Sequence, residues 1–261
     1  MICGLVVLFI GEGDQAYGII PFMSAVHPPL SENTIERIRS GWATKVKVSP
    51  NVLSHLGKTV VPRDGFLSVV ALQLQESVVV ICPPALEPLL SRLSGIELLD
   101  MSTLLRVLAM FSPDPVGTAT IAYADSNTLV SGAGVGVAHL ASSKEVMEVM
   151  SGCTQDEQDE SGLAQMPVQY ALQSSDGSTT ALSGYEAWNN DIAQLGVLTA
   201  PQKRGQGFGF TVAMAAASAA MDADLIPQWR SRIDNDPSQR LGHRLGFVHL
   251  GHQLALAVTL S

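Results

Sequence analysis

The sequence predicts a two-domain, mixed α/β protein, and three observations carry that reading. Three strand-like runs follow one another between residues 168 and 199, separated by tight-turn chemistry. The last of them leads through a glycine-rich basic loop into a long helix of small residues. Apolar residues make up 46% of the 261 and charged residues only 15%. That is ample material for two packed cores, since domains commonly span about 100–150 residues.

The first half, residues 1–124, reads as an α/β segment. Apolar, β-rich runs at 66–74 and 78–82 suit strands. The second ends at Pro83-Pro84, where a helix can start, and 85–93 places Leu86, Leu89, Leu90 and Leu93 at helical spacing. Residues 102–111 suit another helix, stopped by Ser112-Pro113-Asp114-Pro115. Residues 117–124 then alternate like a strand. Arg37, Arg39, Lys45 and Lys47 read as a solvated face rather than an anion site.

Asp125-Ser126-Asn127 marks the join to a second domain over 130–261. There 136–140 suits a short strand, and 142–150 a helix capped by Ser142 or Ser143. The acidic stretch 154–161 suits a solvated helix or loop. Strands at 168–173 and 179–188 flank Asp176-Gly177, where glycine supplies the positive φ of a tight hairpin. Asn189-Asn190 makes a second turn into a strand at 191–199. Three antiparallel strands in succession are the expectation.

The formal charge is −9, which argues against a nucleic-acid partner because phosphate backbones are held by basic surfaces. It is compatible with a cationic substrate such as an amine, and solubility alone also accounts for it. Cys3, Cys82 and Cys153 are far apart and in no metal-binding spacing, so they read as buried or incidental thiols in a reducing compartment. The apolar run 2–10 has no basic residue before it and is too short to span a bilayer. It reads as a buried strand; no membrane partner and a cytoplasmic location follow.

The chemistry concentrates at Ala200-Pro201-Gln202-Lys203-Arg204-Gly205-Gln206-Gly207-Phe208-Gly209, followed by a helix at 210–221. Strand, glycine-rich loop and helix in that order build an anion site. Glycines let backbone N–H groups turn toward a ligand. The helix start adds unpaired donors and the positive end of its dipole, and Arg204 adds a full charge. A diphosphate is the natural guest. The loop lacks the Gly-Lys-Ser/Thr of a P-loop, and its GxGxG spacing (Gly205, Gly207, Gly209) differs from the GxGxxG of dinucleotide folds. A second run, Gly132-Ala133-Gly134-Val135-Gly136, also fails GxGxxG, precedes a strand, and reads as a linker.

Arg204-Gly205-Gln206-Gly207-Phe208-Gly209 resembles the Gln/Arg-x-x-Gly-x-Gly/Ala signature of the GNAT N-acetyltransferase superfamily. Leu195 to Pro201 looks like that family's fourth strand. Asn235-Asp236-Pro237-Ser238 and Arg244-Leu245-Gly246-Phe247 resemble its Asn-x-x-Ser/Ala…Leu-Gly-Phe segment. The resemblance covers about 130–261 and implies a GNAT-like fold there, a central, mostly antiparallel sheet flanked by helices. It also implies acetyl-CoA as co-substrate, no metal, and a small-molecule or peptide amine as acceptor; a homodimer is an allowed assembly. The fourth and fifth strands of such folds splay apart, which would leave the edge Val197, Leu198, Thr199 to pair with pantetheine. Backbone groups of Arg204, Gly205, Gln206, Gly207, Phe208 and Gly209 would hold the diphosphate. Asn235 and Ser238 would reach the pantetheine or its thiol end.

Many members of that family place a tyrosine four residues after the Ser238 position, as acid for the leaving thiolate; here that position is Gly242. A CoA thiol resembles cysteine, with a pKa of about 8.5, and can leave with little help. For the base, Asp191 shares a strand face with Val197 and Thr199 by two-residue alternation, and Glu186 lies on the neighbouring strand beside Tyr185. Each of these, with His243, is also readable as structural, and Trp188 and Trp229 read as packing residues. N-acyl transfer to an amine is the leading function. A non-catalytic acyl-CoA-binding or regulatory module is the rival, and a nucleotide-phosphate binder is a third reading.

Overall fold

The computed structural model describes residues 28–132 and 134–260; the strand expected at 2–10 lies outside the described residues. In the first half come helices α1 (Glu32–Val46) and α2 (Pro50–Ser54), strands β1 (Gly57–Pro62), β2 (Ser68–Leu74) and β3 (Ser77–Cys82), short helices α3 (Glu87–Leu90) and α4 (Met101–Val107), and strand β4 (Asp114–Tyr123). The second half brings β5 (His139–Leu140), α5 (Ser143–Ser151), α6 (Gln155–Ser161), β6 (Val168–Gln173), β7 (Thr179–Trp188), β8 (Ile192–Thr199), α7 (Phe208–Asp222), β9 (Ile226–Arg232), α8 (Asp236–Leu245) and β10 (Val248–Ala257). The mixed α/β class is the one expected, with a mostly antiparallel sheet between helices.

Among the described residues, ten strands join one sheet in the order β1-β3-β2-β10-β4-β9-β8-β7-β6-β5. The last strand, β10, lies inside it, antiparallel to β2 on one side and to β4 on the other. β4 in turn pairs with β9. Strands from 1–124 and from 130–261 are thus interleaved, and β4 borders the strand that follows the glycine loop and its helix.

Alternation along the strands gives the sheet two apolar faces. One is covered by α1, through Ile38 and Trp42 over Ile121, Tyr123, Ile192 and Ile226, and further along by α5, whose Val149 packs with Leu163, Leu182 and Leu198. The other is covered by α7 and α8, with Ala213, Ala216, Ala217 and Leu245 against Leu195, Trp229 and Phe247. α1 is anchored by a polar contact within its core: Trp42 Nε1 and Gln228 Nε2 both donate to the Tyr123 hydroxyl, at 2.5 and 2.6 Å.

Local chemistry explains most element ends. Ser142 and Thr154 form reciprocal capping boxes with Glu145 and Glu157. Asn189 and Asn190 both take positive φ, 53° and 55°, and the Asp191 N–H returns to the Trp188 carbonyl. This primed turn matches the twist of the β7–β8 hairpin. Two expectations shift. The helix expected at 85–93 is broken into a 3-10 turn and the short α3, because Pro88 offers no N–H to bond back to the turn before it. The strand expected at 136–140 pairs only at His139–Leu140, because Gly136 takes φ +85° and the Val135 N–H is spent on Thr211 Oγ1 at 2.8 Å.

Tyr123→Phe strands two buried donors, each worth about 1–3 kcal/mol when unsatisfied. Urea denaturation should show a loss of about 2–4 kcal/mol, whereas an unchanged midpoint would remove this contact as the anchor of α1.

Candidate active site

β8 and β9 run parallel and pair only from Ile192↔Ile226 to Leu195↔Trp229. Beyond that point β8 stays with β7 as far as Thr199↔Ala181, and β9 stays with β4 as far as Arg232↔Ala119. The strands diverge into a fork. One arm is the backbone of residues 196–199, the other that of 230–232, and the two arms share no ladder.

The chain leaves β8 through a 3-10 turn (Pro201–Lys203) and enters α7 at Phe208. Gly205 and Gly207 take φ +75° and +88°, the left-handed region that side chains disfavour. Gly207 is the N-cap and gives α7 no side-chain cap, so the N–H groups of the first turn have no partner from within the helix. Gly209 faces the fork. A Cβ there would stand 2.8 Å from Thr199 Oγ1 and 3.6 Å from Leu241 on α8, so the close approach of β8, α7 and α8 depends on its absence. Lys203 ties the loop to the β6–β7 hairpin through Ser174 and Asp176. Residues 134–136 of the second glycine run lie against this helix start: the Val135 N–H reaches Thr211, and a Cβ on Gly207 would meet the Val135 side chain at 3.3 Å.

Arg204 Nε donates to the Thr199 carbonyl at 3.1 Å, and its Nη2 pairs with Glu157 of α6 at 2.8 Å. Burial alone would raise the Glu157 carboxyl; the Thr154 N–H and the Arg204 guanidinium outweigh it and hold that carboxyl below its ordinary value. One turn on, Glu160 Oε1 accepts from Asn235 Nδ2 at 2.9 Å and from the Arg232 N–H at 3.3 Å. α6 therefore spans the fork, held to the β8–α7 loop at one end and to the start of α8 at the other. Sequence reasoning missed this role. The Thr154/Glu157 capping box signals a helix, and the three-residue spacing of Glu157 and Glu160 puts both on one side of it.

Asn235 Oδ1 caps α8 by accepting from the Ser238 N–H at 3.0 Å. Trp229 Nε1 donates to Ser238 Oγ at 3.1 Å. The indole lies flat against Gly242, where a Cβ would come within 2.9–3.0 Å of three of its atoms. Position 242 is glycine because Trp229 already fills the space beside it. Burial pushes the Cys153 thiol above its ordinary value, with Glu157 adding to the shift, although its Sγ lies 3.9 Å from the Thr199 carbonyl. It is poorly placed to form a thiolate.

The structure thus gathers Val197, Leu198, Thr199, the loop from Arg204 to Gly209, Asn235 and Ser238 around one fork. It does not bring Asp191 there. Asp191 precedes β8 at its opposite end, roughly 26 Å from Thr199 along the strand, and accepts from Arg37 Nε at 3.0 Å. Arg37 is accordingly no free surface cation. Glu186 is exposed on β7, opposite Gln194 on the α1 face. Tyr185 packs on the α7 face, and His243 sits on α8. Among the described residues, no group of three or more His, Cys, Asp or Glu side chains could hold a metal ion. No described helix is long and apolar enough to cross a membrane.

No family model and no curated protein matches this chain by sequence. Several solved structures are similar to it in backbone. A GNAT-family acetyltransferase from Colwellia psychrerythraea is 12% identical, with a TM-score of 0.46 over 59% of this chain and 60% of that one. A GCN5-related N-acetyltransferase from Kribbella flavida is 17% identical, with a TM-score of 0.45 over 60% of this chain and 64% of its own. A GCN5-related N-acetyltransferase-like protein from Streptococcus suis is 12% identical, with a TM-score of 0.44 over 87% of this chain and 98% of that one. The chain spans less than two thirds of the first two.

Gly→Ala inside a helix ordinarily stabilises by about 0.5–1 kcal/mol. For Gly242→Ala the sign should reverse, to a loss of about 1–3 kcal/mol from overpacking, with a changed near-ultraviolet tryptophan signal. A more stable variant with an unaltered signal would show that the indole does not rest on this glycine.

Proposed function

We propose that the fork between β8 and β9 binds acetyl-CoA, or a close acyl-CoA relative, and that the protein transfers the acyl group to an amine. The observation that carries the reading is the conjunction of an unpaired β8 edge with an uncapped, glycine-lined helix start at its end. The first offers N–H and C=O groups spaced for an amide-bearing arm. The second offers a cluster of N–H donors for a diphosphate. The loop sequence and the Asn235–Ser238 pair, both resembling GNAT signatures, support the same reading. We assign the acyl-CoA part to about 130–261; β4, from 1–124, supplies the neighbour that holds β9 away from β8.

The residues present fit such a ligand. Gly205 has open space around it, and Gly209 keeps clear the ground between Thr199 and Leu241. The backbone of residues 197–199 would carry the pantetheine amides, and the amides of Arg204 to Gly209 the diphosphate. Arg204 contributes mainly by fixing the loop, since its guanidinium is shared with Glu157 and the Thr199 carbonyl. Direct transfer forms a C–N bond to the acyl carbon as the C–S bond breaks; one ammonium proton goes to solvent and a second to the thiolate. A β8 N–H at the fork can stabilise negative charge developing on the acyl oxygen. Because Ser238 accepts the Trp229 N–H, its own hydroxyl proton is left to serve an acceptor at the fork.

A second reading, binding without transfer, is favoured by one observation. Trp229 occupies the space beside position 242, so that point of α8 supplies no acidic hydroxyl.

Calorimetry with acetyl-CoA, paired with thiol-trapping of released CoA across a panel of amines, separates the readings. Binding with amine-dependent release is expected; binding without release on any amine supports the module. Arg204→Ala, and Gly207→Val at a left-handed position, should each weaken acetyl-CoA roughly tenfold or more. Unchanged affinity in both would contradict the assignment of the loop.

A further inference from the structure

Position 242 on α8 carries no hydroxyl, because Trp229 fills the space beside it. A sulfur that leaves with an electron pair at the fork must find its donor elsewhere. Strand direction says where to look. The glycine loop follows Thr199, so a ligand with its diphosphate there runs back along β8 from 199 toward 197. Its far end then reaches the vertex, where the ladder between β8 and β9 closes at Leu195 and Trp229. The indole at that vertex donates to the hydroxyl of Ser238, in the first turn of α8, at 3.1 Å.

A short network fixes that hydroxyl. Asn235 Oδ1 accepts from the Ser238 N–H at 3.0 Å, and Asn235 Nδ2 donates to Glu160 of α6 at 2.9 Å. Both ends of the Asn235 amide are engaged within the protein, and together they orient the start of α8. Because Trp229 Nε1 takes one lone pair of Ser238 Oγ, the hydroxyl keeps its proton free to donate. Other long side chains of α8 are committed. Gln239 Nε2 donates to the Arg232 and Ile233 carbonyls at 3.1 and 2.9 Å. Arg240 pairs with Asp236 at 3.6 Å, and the Arg244 guanidinium lies 5.4 Å from the centroid of the Phe210 ring. Ser238 is the donor that α8 holds at the vertex.

We propose that the Ser238 hydroxyl donates a hydrogen bond to the sulfur of the acyl-CoA as the C–S bond breaks, in place of a phenol on α8. The inference rests on the acyl-transfer reading and adds a catalytic residue to it. The electron pair of the C–S bond goes to sulfur. Ser238 keeps its proton, since an alcohol does not protonate a thiolate whose conjugate acid has a pKa of about 8.5. The sulfur takes one of the protons that the amine gives up. Ser238 thus stabilises the thiolate without acting as an acid, and the same bond should favour the thiolate of bound CoA over its thiol.

The test measures CoA and acetyl-CoA affinities by calorimetry as pH rises from about 6.5 to about 9.5, a range that spans the thiol's own pKa. A bond to the thiolate lowers the pKa of the bound thiol, so affinity for CoA should climb as pH rises through that lowered value and level off above the free one. Acetyl-CoA has no thiol and serves as the reference. The ratio of the two affinities should rise about tenfold in the wild type. It should stay flat in Ser238→Ala and rise again in Ser238→Thr, which restores a hydroxyl. The charged and titratable groups around Ser238 are Glu160 on α6, Arg232 and Asp234 after β9, and Asp236, Arg240 and His243 on α8. They are the same in all three proteins, so the difference between them belongs to the hydroxyl. With an amine that the wild type acetylates, Ser238→Ala should also lower kcat about tenfold or more. A flat ratio in the wild type, or a rise undiminished in Ser238→Ala, overturns the proposal while intact acetyl-CoA binding leaves the fork assignment standing. Absence of binding heat with acetyl-CoA in the wild type overturns the acyl-CoA reading itself.

Discussion

The parallel ladder between β8 and β9 ends at Leu195 and Trp229, and the rest of the site depends on what each strand does next. β8 is retained by β7, β9 by β4. Neither can follow the other without giving up an established ladder. Backbone groups that would ordinarily satisfy each other across a sheet are left facing a gap. A ligand with alternating amides meets that requirement, and the uncapped start of α7 lies where an anionic end of such a ligand would fall.

Charge organises the two sides of the gap. α6 carries Glu157 and Glu160 across it, one to Arg204 and the other to Asn235 and the Arg232 N–H. The pair fixes both walls while leaving the α7 side, where Gly209 faces Thr199, free of side-chain bulk. Packing sets the remaining limit. Trp229 closes against Gly242 and engages Ser238, so the indole takes the room that a larger residue on α8 would need. The same strand turns Arg230 to the opposite face. β9 therefore contributes to both sides of the sheet at the point where the fork opens.

How much of this was legible in the sequence follows from how local each feature is. The β6–β7–β8 meander shows directly, because its turns are written in Asp176-Gly177 and Asn189-Asn190 and its strands in period-two patterning. The glycine loop is legible for the same reason: the conformation of Gly205 and Gly207 is a property of those residues. Asn235 and Ser238 stand within one helical turn. Other features depend on partners distant in the chain. The acidic run 154–161 reads as solvent-facing until the helix it forms is seen to lie over the fork. Lys45 reads as a surface cation until α1 is placed beside Trp188, well over a hundred residues away in sequence. Alternation alone would give Asp191 a face shared with Val197, but it lies before β8 begins, at the far end of the strand, where Arg37 of α1 claims it. The interleaving of β4 and β10 into one sheet is likewise invisible locally, since each strand carries only its own hydrophobic pattern.

Amide hydrogen exchange with and without acetyl-CoA tests the central claim most directly, because it reads the backbone that the claim concerns. Saturating acetyl-CoA should slow exchange at residues 197–199 and at 204–210 together, leaving β1 to β3 unchanged. Binding that protects neither segment, or protects the loop while the β8 edge exchanges as before, would contradict the account.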